Sequence, residues 1–118
     1  MEAINNKAMK GIRTFLERRG MEILETGWAH GNHSIDYIAR AEGELVFTDC
    51  QIRENAGKGL GGEDINRDKF EQLAAAYLAE HQDTPEGTVR FDVVTMLILS
   101  DHKALLRHHR NALGISEA

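Results

Sequence analysis

The sequence has little cysteine and few aromatic residues. Its 118 residues include one cysteine, and aromatic residues make up 6% of the chain. Cys50 therefore has no partner for an intramolecular disulfide, and because it lies in an apolar run we expect a buried, reduced thiol rather than a catalytic one. The low aromatic content argues against an extended platform for stacking nucleic-acid bases.

Long hydrophobic runs are also absent. No segment approaches the roughly 18 uninterrupted apolar residues that a membrane span needs, and the first 13 residues lack the apolar centre of a secretory signal. We therefore expect a cytoplasmic protein with no membrane segment. A chain of 118 residues with 42% hydrophobic content can build one core, so residues 1–118 are predicted to form a single domain.

The charge of the chain is negative overall but unevenly distributed. The formal net charge of −5 argues against indiscriminate coating of nucleic acid, because phosphate binding requires Lys and Arg. The two ends of the chain are nevertheless basic and the middle is acidic. This distribution would suit metal-binding carboxylates flanked by phosphate contacts, although exposed helix faces are often charged for solubility alone.

The first half of the chain predicts a helix followed by three strands. Apolar residues return to one helical face before Gly20, which is well placed to end the helix. Residues 21–28 read as a short strand running into a turn at Gly27, and residues 34–53 as a β-hairpin with its turn at Gly43. The residues that define the helical face are Ile4, Ala8, Ile12, Phe15 and Leu16.

The second half predicts a loop, a helix and a central strand. Residues 54–64 contain four glycines and read as a mobile loop, after which Asp64 or Asn66 can cap a helix through about residue 81. Residues 88–99 are apolar on both alternating sets, which indicates a strand covered on both faces. A short strand and a short helix ending near Gly114 should follow. The predicted fold class is α/β, with a mixed sheet between helices.

Three polar residues are candidates for one site. On a strand, side chains two residues apart share a face, so Asp49 and Gln51 can both project toward Asp36 on the neighbouring strand. Mg²⁺ prefers oxygen ligands and retains waters, so two carboxylates and a backbone carbonyl, here that of Cys50, would suffice to bind it. Two acids on adjacent strands also occur in hairpins that bind nothing.

Five segments, in order and spacing, resemble the YraN-like family of uncharacterised bacterial proteins. That family's signature of G-E-I-D-L-I followed by V-F-V-E-V-K is similar to HSIDYI at residues 33–38 and VFTDCQ at residues 46–51. The first helix, second helix and late strand of the family are similar to FLERRGMEIL, RDKFEQLAAAYL and VRFDVV. The resemblance implies a restriction-endonuclease-like fold related to Holliday junction resolvases.

The resemblance also implies roles for individual residues. Asp36 matches the metal-binding aspartate, and Asp49 replaces a glutamate with a shorter acid that can still bind Mg²⁺ or Mn²⁺. Gln51 stands in place of the motif lysine, where an amide can orient water but cannot stabilise an anion by charge. Ser34 and Met9 stand where the family usually has glutamates. These departures mark the motif as degenerate.

Basic residues complete the implied site. Lys69 matches a lysine that the family usually has in its second helix and can compensate for the missing one. Arg13, Arg53 and Lys58 are candidates for contacts with backbone phosphates. The implied partner is DNA, with branched and single-stranded forms as candidates, and related nucleases often pair as homodimers. The chain is thus predicted to be a metal-dependent DNA endonuclease or, alternatively, a catalytically silent binding or scaffold domain.

Other polar residues are predicted to be structural. Arg90 and Asp92 match the late-strand motif of the family and are expected to form a buried or edge-of-core pair without a role in chemistry. His30 and His33 lack a third ligand, which argues against zinc. The histidines near the end of the chain, among them His108, are expected on a basic, pH-sensitive surface.

Overall fold

A computed structural model describes residues 2–54, 66–82 and 87–112, with side chains in the first helix from residue 6 onward. The predicted glycine loop from residue 55 onward, including Lys58, and the residues from 113 onward lie outside this part of the chain. The elements are α1 (Glu2–Arg18), β1 (Glu22–His30), β2 (His33–Ala41), β3 (Glu44–Arg53), α2 (Arg67–Glu80), β4 (Val89–Ser100) and β5 (Lys103–His109).

The five strands form one mixed sheet in the order β1-β2-β3-β4-β5. All neighbours are antiparallel except β3 and β4, which are parallel and are connected through α2. The helices pack on opposite faces of the sheet, each over its own apolar cluster. The predicted α/β class is confirmed, and the mixed sheet is that of a restriction-endonuclease-like fold. Among the described residues, no helix combines the length and apolar character needed to cross a membrane.

Helix α1 packs through its predicted apolar stripe. Ile12 and Leu16 are fully buried against the side chains of β3 and β4 that face this helix. Burying each such side chain stabilises the fold by about 1.5–3 kcal/mol. Gly20, with a φ of 89°, follows the helix end, and the amide of Met21 donates to the carbonyl of Leu16 at 3.1 Å. Gly20 thus ends the helix as predicted.

Helix α2 begins at the second of the two predicted caps. The side chain of Asn66 accepts a hydrogen bond from the backbone amide of Lys69 at 3.0 Å. This satisfies one of the amides left free at the start of a helix. The buried stripe of the helix packs on the phenylalanines of β3 and β4 and consists of Phe70, Leu73, Ala74 and Tyr77.

Strand β4 is buried from residue 90 to residue 97, as its apolar pattern predicts, and it lies inside the sheet between β3 and β5, whereas the central strand of the five is β3. The prediction of a turn at Gly27 is wrong, because β1 continues to His30 and the turn lies at residues 31 and 32. Gly27 has a φ of 65°, so it serves as an irregular point within the strand. At the other end of the chain, residues 110–112 form a turn where the short terminal helix was predicted.

Candidate metal and nucleic-acid site

Asp36 lies where the hairpin of β2 and β3 begins to open. The paired register of the two strands runs to Tyr37 and Thr48, one residue before Asp36. Beyond that point the carboxylate of Asp36 accepts a hydrogen bond from the backbone amide of Cys50, with an Oδ2 to N distance of 2.7 Å. A hydrogen bond to a side chain therefore follows the last main-chain pair of the two strands. This bond holds the Asp36 carboxylate between β2 and β3.

Asp49 makes an ion pair with a lysine from α2. It shares the parity of Phe47, which packs in the α2 cluster, so its side chain is on the α2 face of the sheet. There its Oδ2 is 2.7 Å from the Nζ of Lys69, and both side chains are partly buried. Lys69 is in the first turn of α2, where its backbone amide is held by the cap residue Asn66. The helix start therefore positions the ammonium group.

The two carboxylates are close enough to influence each other. Burial is the largest cause that raises the pKa of Asp36, and the negative charge of Asp49 raises it further. The hydrogen bond from the Cys50 amide and the charge of Lys69 act in the opposite direction, but the net shift is upward. Asp36, Asp49 and Lys69 thus form one electrostatic cluster, which we call the acid cluster.

Cys50 lies between Asp49 and Gln51 on β3. Burial, together with the charges of Asp36 and Asp49, raises the pKa of its thiol, so the thiol stays protonated at neutral pH. The sequence predicts a buried, reduced thiol, and Cys50 is a free cysteine that is half-buried. Because the amide and carbonyl of one strand residue point to the same side, the Cys50 carbonyl is expected to face β2 and Asp36. Any contribution of Cys50 to a metal would come from that carbonyl.

Gln51 and Arg53 follow on the same strand and have unsatisfied polar atoms. The Oε1 atom of Gln51 and the Nε atom of Arg53 are buried without a hydrogen-bond partner in the described part of the protein. Gln51 shares the face of Asp49, two residues away. Buried polar atoms are nearly always paired, so these two are candidates for contact with a ligand. Arg13, in contrast, is engaged on α1 with Glu17 at 3.1 Å.

The donor set of the acid cluster suits a hard divalent cation. Together with the unpartnered amide oxygen of Gln51 and the backbone carbonyl of Cys50, its two carboxylates make a set of oxygen ligands of the kind Mg²⁺ and Mn²⁺ bind. Within the described ranges, no three His, Cys, Asp or Glu side chains gather as a metal site. The residues fit Mg²⁺ or Mn²⁺, with Lys69 already neutralising part of the charge of Asp49.

A second polar cluster lies on the opposite, α1 face of the sheet. Arg90 and Asp92 form the buried pair predicted from the sequence, with Arg90 Nε and Nη2 donating to Asp92 at 2.9 and 3.0 Å. The sequence did not indicate that Glu44, His108 and the amide of Asn111 join them. We call this set the buried ionic network.

The surface position predicted for His108 is wrong. Its side chain is only 4% exposed, and its Nε2 is 2.8 Å from the Oδ2 atom of Asp92. The reason is the pairing of β5 with β4, which turns alternate residues of β5 inward, so that Leu106 and His108 both point to the α1 side. The alternation of inward and outward side chains along β5 could have indicated this position. The basic residues next to His108 in the sequence suggest an exposed surface instead.

The mixed sheet between two helices, with an acid pair beside the opening of its second hairpin, defines an α/β protein of the restriction-endonuclease-like class. The chain belongs to the uncharacterised protein family UPF0102, the YraN family, whose family model matches residues 10–96.

Relatives cover most of the chain. A UPF0102 protein of Roseiflexus castenholzii is 39% identical over 88 residues, which are 71% of this chain and 70% of the relative. One from Nocardia farcinica is 34% identical and covers 80% of this chain and 76% of its own length. One from Beutenbergia cavernae is 35% identical, with 81% and 83% covered. None of these names states an activity.

Proposed function

We propose that this protein is a divalent-metal-dependent nuclease that hydrolyses DNA phosphodiesters at the acid cluster. The observation that carries the proposal is the ion pair between Lys69 and Asp49, with its Nζ to Oδ2 distance of 2.7 Å. Through this pair, Lys69 supplies from α2 the positive charge that the motif lysine of the family would supply from β3, where this chain has Gln51. The cluster therefore retains two acids and a cation despite its degenerate motif.

Each residue of the acid cluster, and its neighbours Cys50 and Gln51, has a role in this proposal. Asp36 and Asp49 hold the metal, together with the Cys50 carbonyl. Bound there, Mg²⁺ or Mn²⁺ supplies water activation and stabilises the charge that develops on the phosphate. Gln51 orients the attacking water through its unpartnered amide oxygen. Lys69 offers its ammonium to the phosphate, since an ammonium is a compact point charge on a flexible stem.

Phosphate contacts outside the metal site would come from neighbouring basic residues. Arg53 is two residues beyond Gln51 and has a buried Nε without a partner among the described residues. Lys58 and Arg13 stay in the proposed set, but Lys58 lies outside the described residues, and Arg13 lies on α1, across the sheet from Asp49, and must leave its partner Glu17 to take part. Such contacts position a strand without selecting its sequence, so the protein would recognise the structure of DNA rather than specific bases.

A cleavage assay tests the nuclease proposal directly. Purified protein is incubated with branched, single-stranded and duplex DNA in the presence of Mn²⁺. Cleavage should disappear in Asp36→Asn and persist in Asp68→Asn, a matched change at an exposed residue of α2. If the unaltered protein and Asp36→Asn both leave all three substrates intact, the enzymatic proposal is rejected.

A gain-of-function variant tests the role assigned to the missing lysine. Gln51→Lys restores the motif of the family on the face that already carries Asp49. If charge limits the reaction, cleavage should increase in Gln51→Lys and fall in Lys69→Met. An increase in the first variant without a decrease in the second would show that Lys69 does not perform the compensating role.

The alternative function is a catalytically silent binding or scaffold domain for nucleic-acid or protein partners. The ion pair between Lys69 and Asp49 also favours this alternative, because the ammonium group of Lys69 occupies a carboxylate oxygen of Asp49 that a metal would need. Calorimetric titration with Mn²⁺ distinguishes the two. Binding that is lost in Asp49→Ala supports the nuclease, whereas no binding to the unaltered protein supports the silent domain. Light scattering tests the predicted homodimer.

A further inference from the structure

A basic pocket of about 340 Å³ lies away from the acid cluster. Arg90 shares the parity of Val94, which packs in the α1 cluster, so this pocket opens on the α1 side of the sheet, whereas Asp49 faces α2. The two sites also lie at different positions along the parallel strands. Arg90 is the second residue of β4, while Asp49 is in the second half of β3. The charged or titratable residues that line the basic pocket are Arg19, Glu42, Arg90, His108 and Arg110.

The base of the pocket is rigid. The side chain of Arg90 is only 6% exposed and is held by Asp92 and Glu44. These contacts use three of its five N–H groups, which leaves two for a ligand. His108 is fixed by its bond to Asp92, and its Nδ1 is buried with no partner in the described structure. The buried ionic network thus presents a preorganised guanidinium at the base of the pocket.

Two further guanidinium groups are at the mouth of the pocket. Arg110 belongs to a turn that is anchored by the amides of Asn111 and Ala112, which donate to Asp92 Oδ1 at 2.9 Å and to the Phe91 carbonyl at 2.7 Å. Arg19 comes from the end of α1, where its guanidinium carbon is 5.0 Å from the centre of the Phe15 ring. Both side chains can reach inward from fixed backbone positions.

One carboxylate opposes these positive groups. Glu42 is 3.8 Å from Arg110, and its side chain is 82% exposed. An ion pair this long and this exposed contributes little free energy, so an anion can displace it. The carboxylates of Asp92 and Glu44 are already engaged with Arg90, so they do not repel a ligand with their full charge.

We propose that the basic pocket binds a phosphate group, either of a nucleic-acid strand or of a free phosphate ester. Arginine forks match phosphate oxygens in pairs, and the buried guanidinium of Arg90 with the two at the mouth can surround a tetrahedral anion. The pocket shares Arg19 with a shallow neighbouring surface that also contains Lys10 and Arg18. A longer phosphate chain could continue along that surface. This site needs no metal and does not depend on the nuclease proposal.

Titration with inorganic phosphate at constant ionic strength tests the site. Amide and arginine side-chain signals are followed by NMR on the full chain, and a dispersed spectrum shows that each variant is folded. Arg110→Gln should weaken binding about tenfold, the effect of losing one charge-assisted hydrogen bond. Arg67→Gln, which removes the same charge from α2, should leave the affinity unchanged. Equal weakening by both variants, or no shifts around Arg90, would overturn the proposal.

Glu42→Gln gives a prediction of opposite sign. Removal of the opposing carboxylate should strengthen phosphate binding several-fold, roughly the effect of one exposed charge. The matched change Glu71→Gln on α2 should have no effect. If the two variants strengthen binding equally, only the net charge of the protein matters and a specific pocket is rejected.

Oligonucleotides of one sequence, with and without a 5′-phosphate, identify the source of the phosphate. Tighter binding of the phosphorylated strand, lost in Arg110→Gln, identifies a terminal monoester. Equal binding of both strands with the same loss identifies backbone diesters. If Arg110→Gln affects inorganic phosphate alone, the ligand is a free phosphate compound.

Discussion

Replacement of Asp92 by asparagine should be among the most destabilising single changes in this protein. The Asp92 side chain is fully buried and accepts four hydrogen bonds, two from Arg90, one from His108 and one from the Asn111 amide. Asn has nearly the same shape but no charge. Its NH₂ group is a donor, and it would face N–H donors that the Asp92 carboxylate accepts in the unaltered protein. The change therefore leaves the buried guanidinium of Arg90 with only the partly exposed Glu44 as its counter-charge.

The expected loss is about 3–5 kcal/mol, the usual cost of removing one partner of a buried ion pair. For a chain of 118 residues, the usual free energy of unfolding per residue gives a total of about 6–18 kcal/mol. The variant would therefore lose a large share of its stability. Replacing both partners, Arg90→Met with Asp92→Leu, should cost less than the sum of the single changes, because no unpaired charge stays buried.

Urea denaturation at pH 7 measures these differences, with the exposed-site variant Asp68→Asn as a control that should change stability by less than about 0.5 kcal/mol. A loss of under about 1 kcal/mol for Asp92→Asn would show that the buried ionic network stabilises the fold no more than an exposed ion pair does.

The pH dependence of the same stability has a definite sign. Although burial opposes it, hydrogen bonds from His108 and Arg90 hold the pKa of Asp92 below its usual range. A carboxyl whose pKa is lowered in the folded state stabilises the protein at pH values above its unfolded-state pKa of about 3.9. This stabilisation is lost as the pH falls through the folded-state pKa. The difference between the unaltered protein and Asp92→Asn should therefore be largest near neutral pH and shrink in acid.

Three further changes test the acid cluster and the glycines. Lys69→Met should raise the pKa of Asp36 further, because the lysine charge lowers it, and carboxyl NMR titration should show no such rise in Lys69→Arg. Gly27→Ala should destabilise the protein by about 1–2 kcal/mol in urea, since φ there is 65°. Gly11→Ala, within α1 and with ordinary space for a methyl group, should instead stabilise it by about 0.5–1 kcal/mol. Equal effects of the two glycine changes would contradict these assignments.

The order of elements could be predicted from the sequence because each depends on a local pattern. The stripe ending at Leu16, the cap at Asn66 and the doubly apolar strand around Val93 are signals that lie within a few residues of one another. Gly27 was misread because glycine marks both turns and irregular strand positions, and only the pairing with β2 distinguishes them.

The contacts of the polar clusters could not be predicted in the same way. The ion pair of Lys69 with Asp49 joins residues 20 positions apart, and the bond of His108 to Asp92 depends on which face of β5 turns inward. Residue types identified Asp36 and Asp49 as candidates, but their distances and partners depend on how the helix and strands pack. The same reasoning placed His108 on the surface because its neighbours in sequence are basic.

The bond between the Asp36 carboxylate and the Cys50 amide has a consequence for how this family can vary. Every residue type except proline carries a main-chain N–H, so the group that holds the aspartate does not depend on which side chain occupies position 50. Position 51 can likewise change from lysine to glutamine without releasing the acid. The hairpin can therefore accept different side chains at positions 50 and 51 while its first carboxylate stays in place.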